Sequence, residues 1–159
     1  MLPPVPCVTA ALVNRMGQIL LQQRDNRATI RYPGWWSTLG GRVETGEHPD
    51  AAIRRELWEE IARVPALRRW KVYSRPGPKP LIVRQYVYVG ALDEPIASIP
   101  LREGQALAYV DASGLADLPI AFGFAALCQE WFACYAATGS VEECIDALTA
   151  SAPEGCDGW

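Results

Sequence analysis

The sequence predicts a single α/β (α+β) domain, a mixed β-sheet with helices packed on its faces. Three observations carry that reading. Short apolar runs bounded by turn residues recur through the first 111 residues, one amphipathic helical stretch interrupts them, and an apolar-rich helix closes the chain. Residues 1–150 form the expected domain and 151–159, "SAPEGCDGW", a loosely held tail.

The elements follow in order. "CVTAALVN" and "QILLQQR" are two strands joined hairpin-fashion by "RMGQ". "DNRATIRYPGWW" is a polar loop broken by Pro33 and Gly34, followed by the short "STLGGRVE" segment. A helix comes next, with His48 or Glu47 as its cap, Pro49 suited to the first helical position and Asp50 complementing the dipole. "RRWKVYSR" and the alternating "LIVRQYVYVGAL" read as strands on either side of "RPGPKP", and "ALAYVD" as the last strand. "IAFGFAALCQEWFACYAA" and "SVEECIDALTA" are the closing helices.

With 18 acidic and 15 basic residues the net charge is -3, which lacks the basic footprint of non-specific nucleic-acid binding but leaves room for a nucleotide ligand in a local basic pocket. Cys7, Cys128, Cys134, Cys144 and Cys156 are scattered, with no C-x-x-C pair and one histidine, so reduced thiols in a cytoplasmic protein are expected rather than a zinc site. Neither a signal peptide nor an apolar run near the ~20 residues of a membrane span is read in the chain.

One stretch stands apart: "GGRVETGEHPDAAIRRELWEEIAR". On its helix Ile53, Leu57 and Ile61 define a buried stripe, and Glu56, Glu59 and Glu60 crowd an arc roughly 100° wide beside it. Like charges at i,i+3 and i,i+4 each cost about 0.2–0.5 kcal/mol. Two accounts of that crowding stand at this point. Arg55 and Arg63 can pair with Glu59 across a solvated face, or the carboxylates can share a divalent cation such as Mg²⁺ or Mn²⁺.

The spacing adds to the second account. Gly41, Glu47, Arg55-Glu56-Leu57 and Glu59-Glu60 resemble the Nudix box, G-x5-E-x7-R-E-U-x-E-E-x-G-U, where U is a bulky aliphatic residue. Six matched Gly, Glu and Arg positions would arise by chance in about one chain in a hundred thousand. Ala62 stands where the family has glycine, Arg63 where it has an aliphatic residue, and Leu39 at the proline of W-x-L-P-G-G.

The resemblance to a MutT-like Nudix hydrolase implies an α/β/α sandwich and Mg²⁺- or Mn²⁺-dependent cleavage of a nucleoside diphosphate linked to another group. By the same resemblance Glu56, Glu59, Glu60 and the Gly40 carbonyl are metal ligands, and Arg55 holds Glu56 in place. Glu47 braces the loop or simply favours the helix dipole. "REGQALAYV" resembles the E-G-Q stretch of MutT-type members, which makes Glu103 a further ligand or the general base; otherwise it marks a surface turn at Gly104. The implied catalytic set is Glu56, Arg55, Glu59 and Glu103. Arg24 and Arg84 match arginines near the nucleotide, or are exposed strand-end residues, and Tyr32 and Trp35 border a loop where a base can stack. Trp36, Trp58 and Trp131 are expected in the core.

The expected partner is a small nucleotide, without nucleic acid or membrane, and homodimers are common in the family. "LPIAFGF" carries no amide where MutT-type enzymes for oxidised guanine nucleotides place asparagine. "SRPGPKPLI" keeps Ser74 and three prolines of an NADH-diphosphatase array but not its other positions. Three functions therefore stand: a (deoxy)nucleoside triphosphate pyrophosphohydrolase, a hydrolase of nucleotide sugars or dinucleotides, and a non-catalytic nucleotide- or protein-binding module.

Overall fold

The computed structural model describes residues 1–153; residues 154–159, most of the expected tail with Cys156, lie outside the described residues. Seven strands form one mixed sheet: β1 Val5–Val13, β2 Ile19–Gln23, β3 Trp36–Ser37, β4 Leu39–Arg42, β5 Arg68–Pro76, β6 Ile82–Ala91 and β7 Ala106–Val110. The helices are α1 Pro49–Ile61, α2 Ala112–Ala116, α3 Phe124–Thr138 and α4 Val141–Thr149.

β1 is the axis of the sheet. It runs parallel to β6 along its whole length and is antiparallel to β2 at its C-terminal end and to β4 nearer its N-terminal end. Period-2 alternation sends its side chains to opposite faces, and both faces are covered. Val8, Ala10 and Leu12 pack with Leu39, Tyr86 and Tyr88 under Ile53, Leu57 and Ile61 of α1. Ala11 and Val13 pack with Val87, Val89 and Trp70 under Leu127, Cys128 and Trp131 of α3 and Cys144 of α4. The result is the expected α/β/α sandwich. Trp131 is fully buried, and its indole N–H donates to the Gly17 carbonyl at 2.9 Å.

α1 begins as its sequence dictates: Pro49 occupies the first turn, and the Asp50 N–H donates to His48 Nδ1 at 3.0 Å. It ends on Ala62 in the left-handed region (φ 53°), the position where the family pattern has the glycine that such a cap favours. Ser140 caps α4 by accepting from the Glu143 N–H.

Two expectations are corrected. The closing helix does not start at Ile120: Phe122 (φ 60°) and Gly123 (φ 73°) are left-handed, so the chain turns there and α3 starts at Phe124. Trp58 is not core but 55% exposed, its ring lying under the Arg102 guanidinium. The short helix α2, capped by Asp111, has no counterpart in the sequence reading. The four cysteines among the described residues are free. No helix among those residues is long and apolar enough to cross a membrane.

Candidate functional site

β4 brings the backbone of Gly40 and Gly41 against one flank of α1, and the absence of side chains is what lets the helix carboxylates approach. A Cβ on Gly41 would stand 2.4 Å from the Glu56 carboxylate carbon. The Gly40 N–H donates to Glu60 Oε2 at 3.1 Å. Glu60 is 5% exposed, a buried carboxylate at the inner edge of the cluster. Glu59, one residue earlier, points outward and is half exposed.

Arg55 is the hub of this flank. Its Nε and Nη2 donate to the two oxygens of Glu47, both at 2.8 Å, and Nη1 reaches Glu56 at 3.0 Å and Glu59 at 3.3 Å. Nη2 also donates to the Arg42 carbonyl at 3.0 Å. The fork therefore ties the loop before α1, the end of β4 and two helix carboxylates together. The salt-bridged face is thus real for Arg55 and Glu59, while Arg63 pairs instead with Glu94 at 2.7 Å.

Glu103 arrives on the loop before β7. The Arg102 N–H donates to the Glu60 carbonyl at 2.9 Å, and Gln22 Nε2 donates to the Glu103 carbonyl at 2.7 Å. Gly104, left-handed at φ 81°, turns the chain where a Cβ would meet the Gln23 carbonyl at 2.5 Å.

The electrostatics of these groups diverge. Burial pushes Glu60 well above the usual carboxylate range, and the charges of Glu56, Glu103 and Glu59 add to it against the one Gly40 N–H. Burial also raises Glu56, with Arg55 opposing. Glu47 goes the other way: the hydrogen bonds from Arg55 lower it to about 2. A depressed carboxylate stabilises the fold above its ordinary value near 4.5 and loses that contribution as pH falls through about 2. The expected result is that Glu47→Gln unfolds more easily than wild type at pH 7, with the gap closing between pH 4.5 and 2; thermal unfolding across that range checks it, and a gap independent of pH would refute it.

The donor set suits a hard divalent cation, being all oxygen and short of positive partners at Glu60. Among the described residues no three His, Cys, Asp or Glu side chains are gathered at metal-binding distances; Glu59 is turned onto Arg55 and Glu60 onto Gly40. Holding an ion would require Glu59 to leave Arg55, a change of rotamer on an exposed side chain.

Beside Glu60 a cavity of about 250 Å³ opens on the α3 face of the sheet. Its floor is Cys7, Thr9, Val83 and Gln85, and Arg24, Arg75 and Phe122 stand around it. Arg24 stands on the cavity wall. Arg84 does not: its neighbour Gln85 faces the cavity, so strand alternation turns Arg84 to the α1 face, over Tyr86. Tyr32 stands behind Phe122, with ring centres 4.9 Å apart, and Trp35 packs on Tyr32 at the exposed rim. Neither lines the cavity. The residues missed were Arg31, Arg75, Gln85 and Phe122; no sequence signal marks them, since each depends on strand parity or on the turn at Phe122.

The comparisons agree with this architecture. The RNA pyrophosphohydrolase of Roseobacter denitrificans is 43% identical over 83 residues, 47% of this chain and 49% of that protein, so the chain spans about half the length of that relative. The nucleoside triphosphatase NudI of Salmonella arizonae is 44% identical over 43 residues, 27% of this chain and 29% of that protein. The solution structure of the E. coli ORF135 protein superposes with a TM-score of 0.69 at 26% identity, covering 86% of this chain and 94% of the other. A NUDIX domain model matches residues 3–122, and the chain belongs to the Nudix family.

Proposed function

We propose that the chain is a Mg²⁺-dependent (or Mn²⁺-dependent) hydrolase of the pyrophosphate linkage in nucleotides carrying a 5′-triphosphate. The observation that carries this reading is the crowding of Glu56, Glu59, Glu60 and Glu103 beside a cavity with arginines on its walls. Carboxylates so placed raise one another's proton affinity and are relieved by a divalent cation. Glu56, Glu59, Glu60 and the Gly40 carbonyl would hold it, with Glu103 beside them. When bound, the ion neutralises the diphosphate and lowers the barrier to attack on phosphorus. The rest belongs to the chain: Arg55 fixes the direction of Glu56, a carboxylate of the cluster takes the proton of the attacking water, and Arg24 faces the negative charge of the substrate.

Two substrates share that chemistry. The free (deoxy)nucleoside triphosphate is favoured by the net charge of -3, which gives the protein no basic footprint for a longer nucleic acid. The 5′-triphosphate end of RNA is favoured by the relative named RNA pyrophosphohydrolase. Pyrophosphate release should be measured with Mg²⁺ or Mn²⁺ over nucleoside triphosphates, 5′-triphosphate RNA, nucleotide sugars and dinucleotides, beside Glu60→Gln. The variant is expected to lose about 100-fold or more in turnover. It is also expected to melt at a higher temperature than wild type without metal, because it removes a buried carboxylate whose raised proton affinity marks an unfavourable charge. Wild type inert on every substrate would make the chain a binding module instead.

A further inference from the structure

Phe122 is surrounded by positive charge. The guanidinium carbons of Arg24, Arg75 and Arg31 lie 4.8, 5.0 and 5.9 Å from its ring centre. They come from three segments, the residue after β2, the following loop and β5. The ring is held among them by a left-handed backbone at φ 60° and by the edge of Tyr32. Among the described residues no carboxylate forms an ion pair with any of the three. Their Nε groups are used for orientation: Arg24 Nε donates to the Arg31 carbonyl and Arg75 Nε to Gln85 Oε1, both at 3.0 Å. Arg75 Nη1 adds a long contact to the Pro76 carbonyl at 3.5 Å, and all three arginines line the cavity.

A phenyl ring attracts each cation by about 0.5–2 kcal/mol but does nothing about their mutual repulsion. Burial lowers the proton affinity of Arg24 and of Arg75, and the nearby charge of Arg31 adds to it in both, opposed at Arg24 by the charges of Glu60 and Asp25. A neutral base could satisfy one fork; only an anion offsets three like charges at once.

The cluster spans the cavity. Arg24 stands close enough to Glu60 to feel its charge. The backbone of Arg75 lies on the far side. Gly40 pairs with Thr9 of β1, whereas Arg75 pairs with Val83 of β6 and through it with Val5, four residues away from Thr9 along β1. Three interstrand steps across and four residues along the strands separate the two backbones by about 19 Å, with Cys7, Gln85 and Val83 as the floor between. A diphosphate held at the carboxylates is too short to bridge it. A nucleoside with phosphate at both ends is not.

We propose that Arg24, Arg31 and Arg75 form a second phosphate subsite, so that the substrate carries a phosphate on the far side of its nucleoside as well as the diphosphate that is cut. The proposal rests on the hydrolase reading above and narrows it. Two sources share the chemistry: the 3′-phosphodiester of the first nucleotide of an RNA, and the far phosphate of a two-headed nucleotide.

The test is a binding measurement without turnover. Adenosine and guanosine 5′-monophosphates, their 3′,5′-bisphosphates and a dinucleoside diphosphate are titrated into wild type, Arg31→Gln, Arg75→Gln and the double variant, each first shown by thermal unfolding to be folded. One of the doubly phosphorylated probes is expected to bind about tenfold or more tighter than the monophosphate. That ratio is expected to fall in each single variant and approach one in the double variant. A gain for the bisphosphate points to the RNA end, and a gain confined to the dinucleotide to the two-headed class. Equal binding of all probes by wild type, or a ratio unmoved by both substitutions, overturns the subsite. So does a loss of discrimination between adenine and guanine with no loss between mono- and bisphosphate, which would make the arginines a base clamp. Absent turnover with the ratio intact would sink the hydrolase reading alone.

Discussion

Arg55→Ala is expected to lose about 3 kcal/mol of stability and to lower turnover about 10- to 100-fold. Both losses come from one fork. Its removal strands Glu47, Glu56 and Glu59 without their shared cation and releases the Arg42 carbonyl from the helix. The stability term reflects carboxylates left facing one another, and the turnover term reflects Glu56 free to leave its direction. Lysine separates the two. An ammonium is a point charge and cannot reach two oxygens of Glu47, Glu56 and a backbone carbonyl together. Arg55→Lys should therefore recover part of the stability and little of the turnover. Chemical denaturation of both variants, with kcat measured at saturating metal, checks the pair. A lysine variant with wild-type kcat would show that charge alone suffices and that the fork geometry is incidental.

Gly40→Ala is the second large effect and works through the backbone. Gly40 has φ 156°, and an added Cβ would stand 2.0 Å from the Val8 carbonyl oxygen and 2.7 Å from the Thr9 Cα. No rotamer relieves a clash with backbone, so β4 must part from β1. The expected loss exceeds about 4 kcal/mol, with soluble yield falling accordingly. Gly41→Ala is the contrast. The three atoms nearest its Cβ would all belong to the Glu56 carboxylate, which can swing away. That variant should keep most of its stability and lose about 100-fold in turnover through a displaced carboxylate. Melting temperatures of the two variants, set beside their turnover, check the distinction. Equal melting temperatures would mean that the sheet yields more readily at Gly40 than the contact implies.

The elements whose physics is local were legible in the sequence. The His48-Pro49-Asp50 start of α1 and its carboxylate flank need only neighbours along the chain, and residue types at fixed spacing reveal them. The arginines were not legible in the same way. In "LIVRQYVYV" both faces of the strand are covered, so apolar residues occupy both parities and nothing in the string tells which of Arg84 and Gln85 faces the cavity. Only the register with β1 decides it, and Arg75 on the neighbouring strand is selected by the same register. Phe122 was hidden for another reason. Its flanks are helix-forming and apolar, and its left-handed turn depends on the bridge between Ile120 and Trp36, a contact remote in sequence. Trp58 was misplaced because a tryptophan on a helix is ordinarily buried, whereas here the Arg102 side chain covers one face of it at the surface.

The two bare residues of β4 separate what can change from what cannot. On one side of them lie the carboxylates and Arg55, packed into the α1 core. On the other lies a cavity walled by Cys7, Val83, Phe122 and Arg75, whose side chains stand outside the core packed under α1. Substitutions among those walls leave the α1 core untouched and meet the carboxylates at Glu60, which borders both. In a lineage built on this fold, the shape of the cavity can therefore drift while the core under α1 keeps its packing.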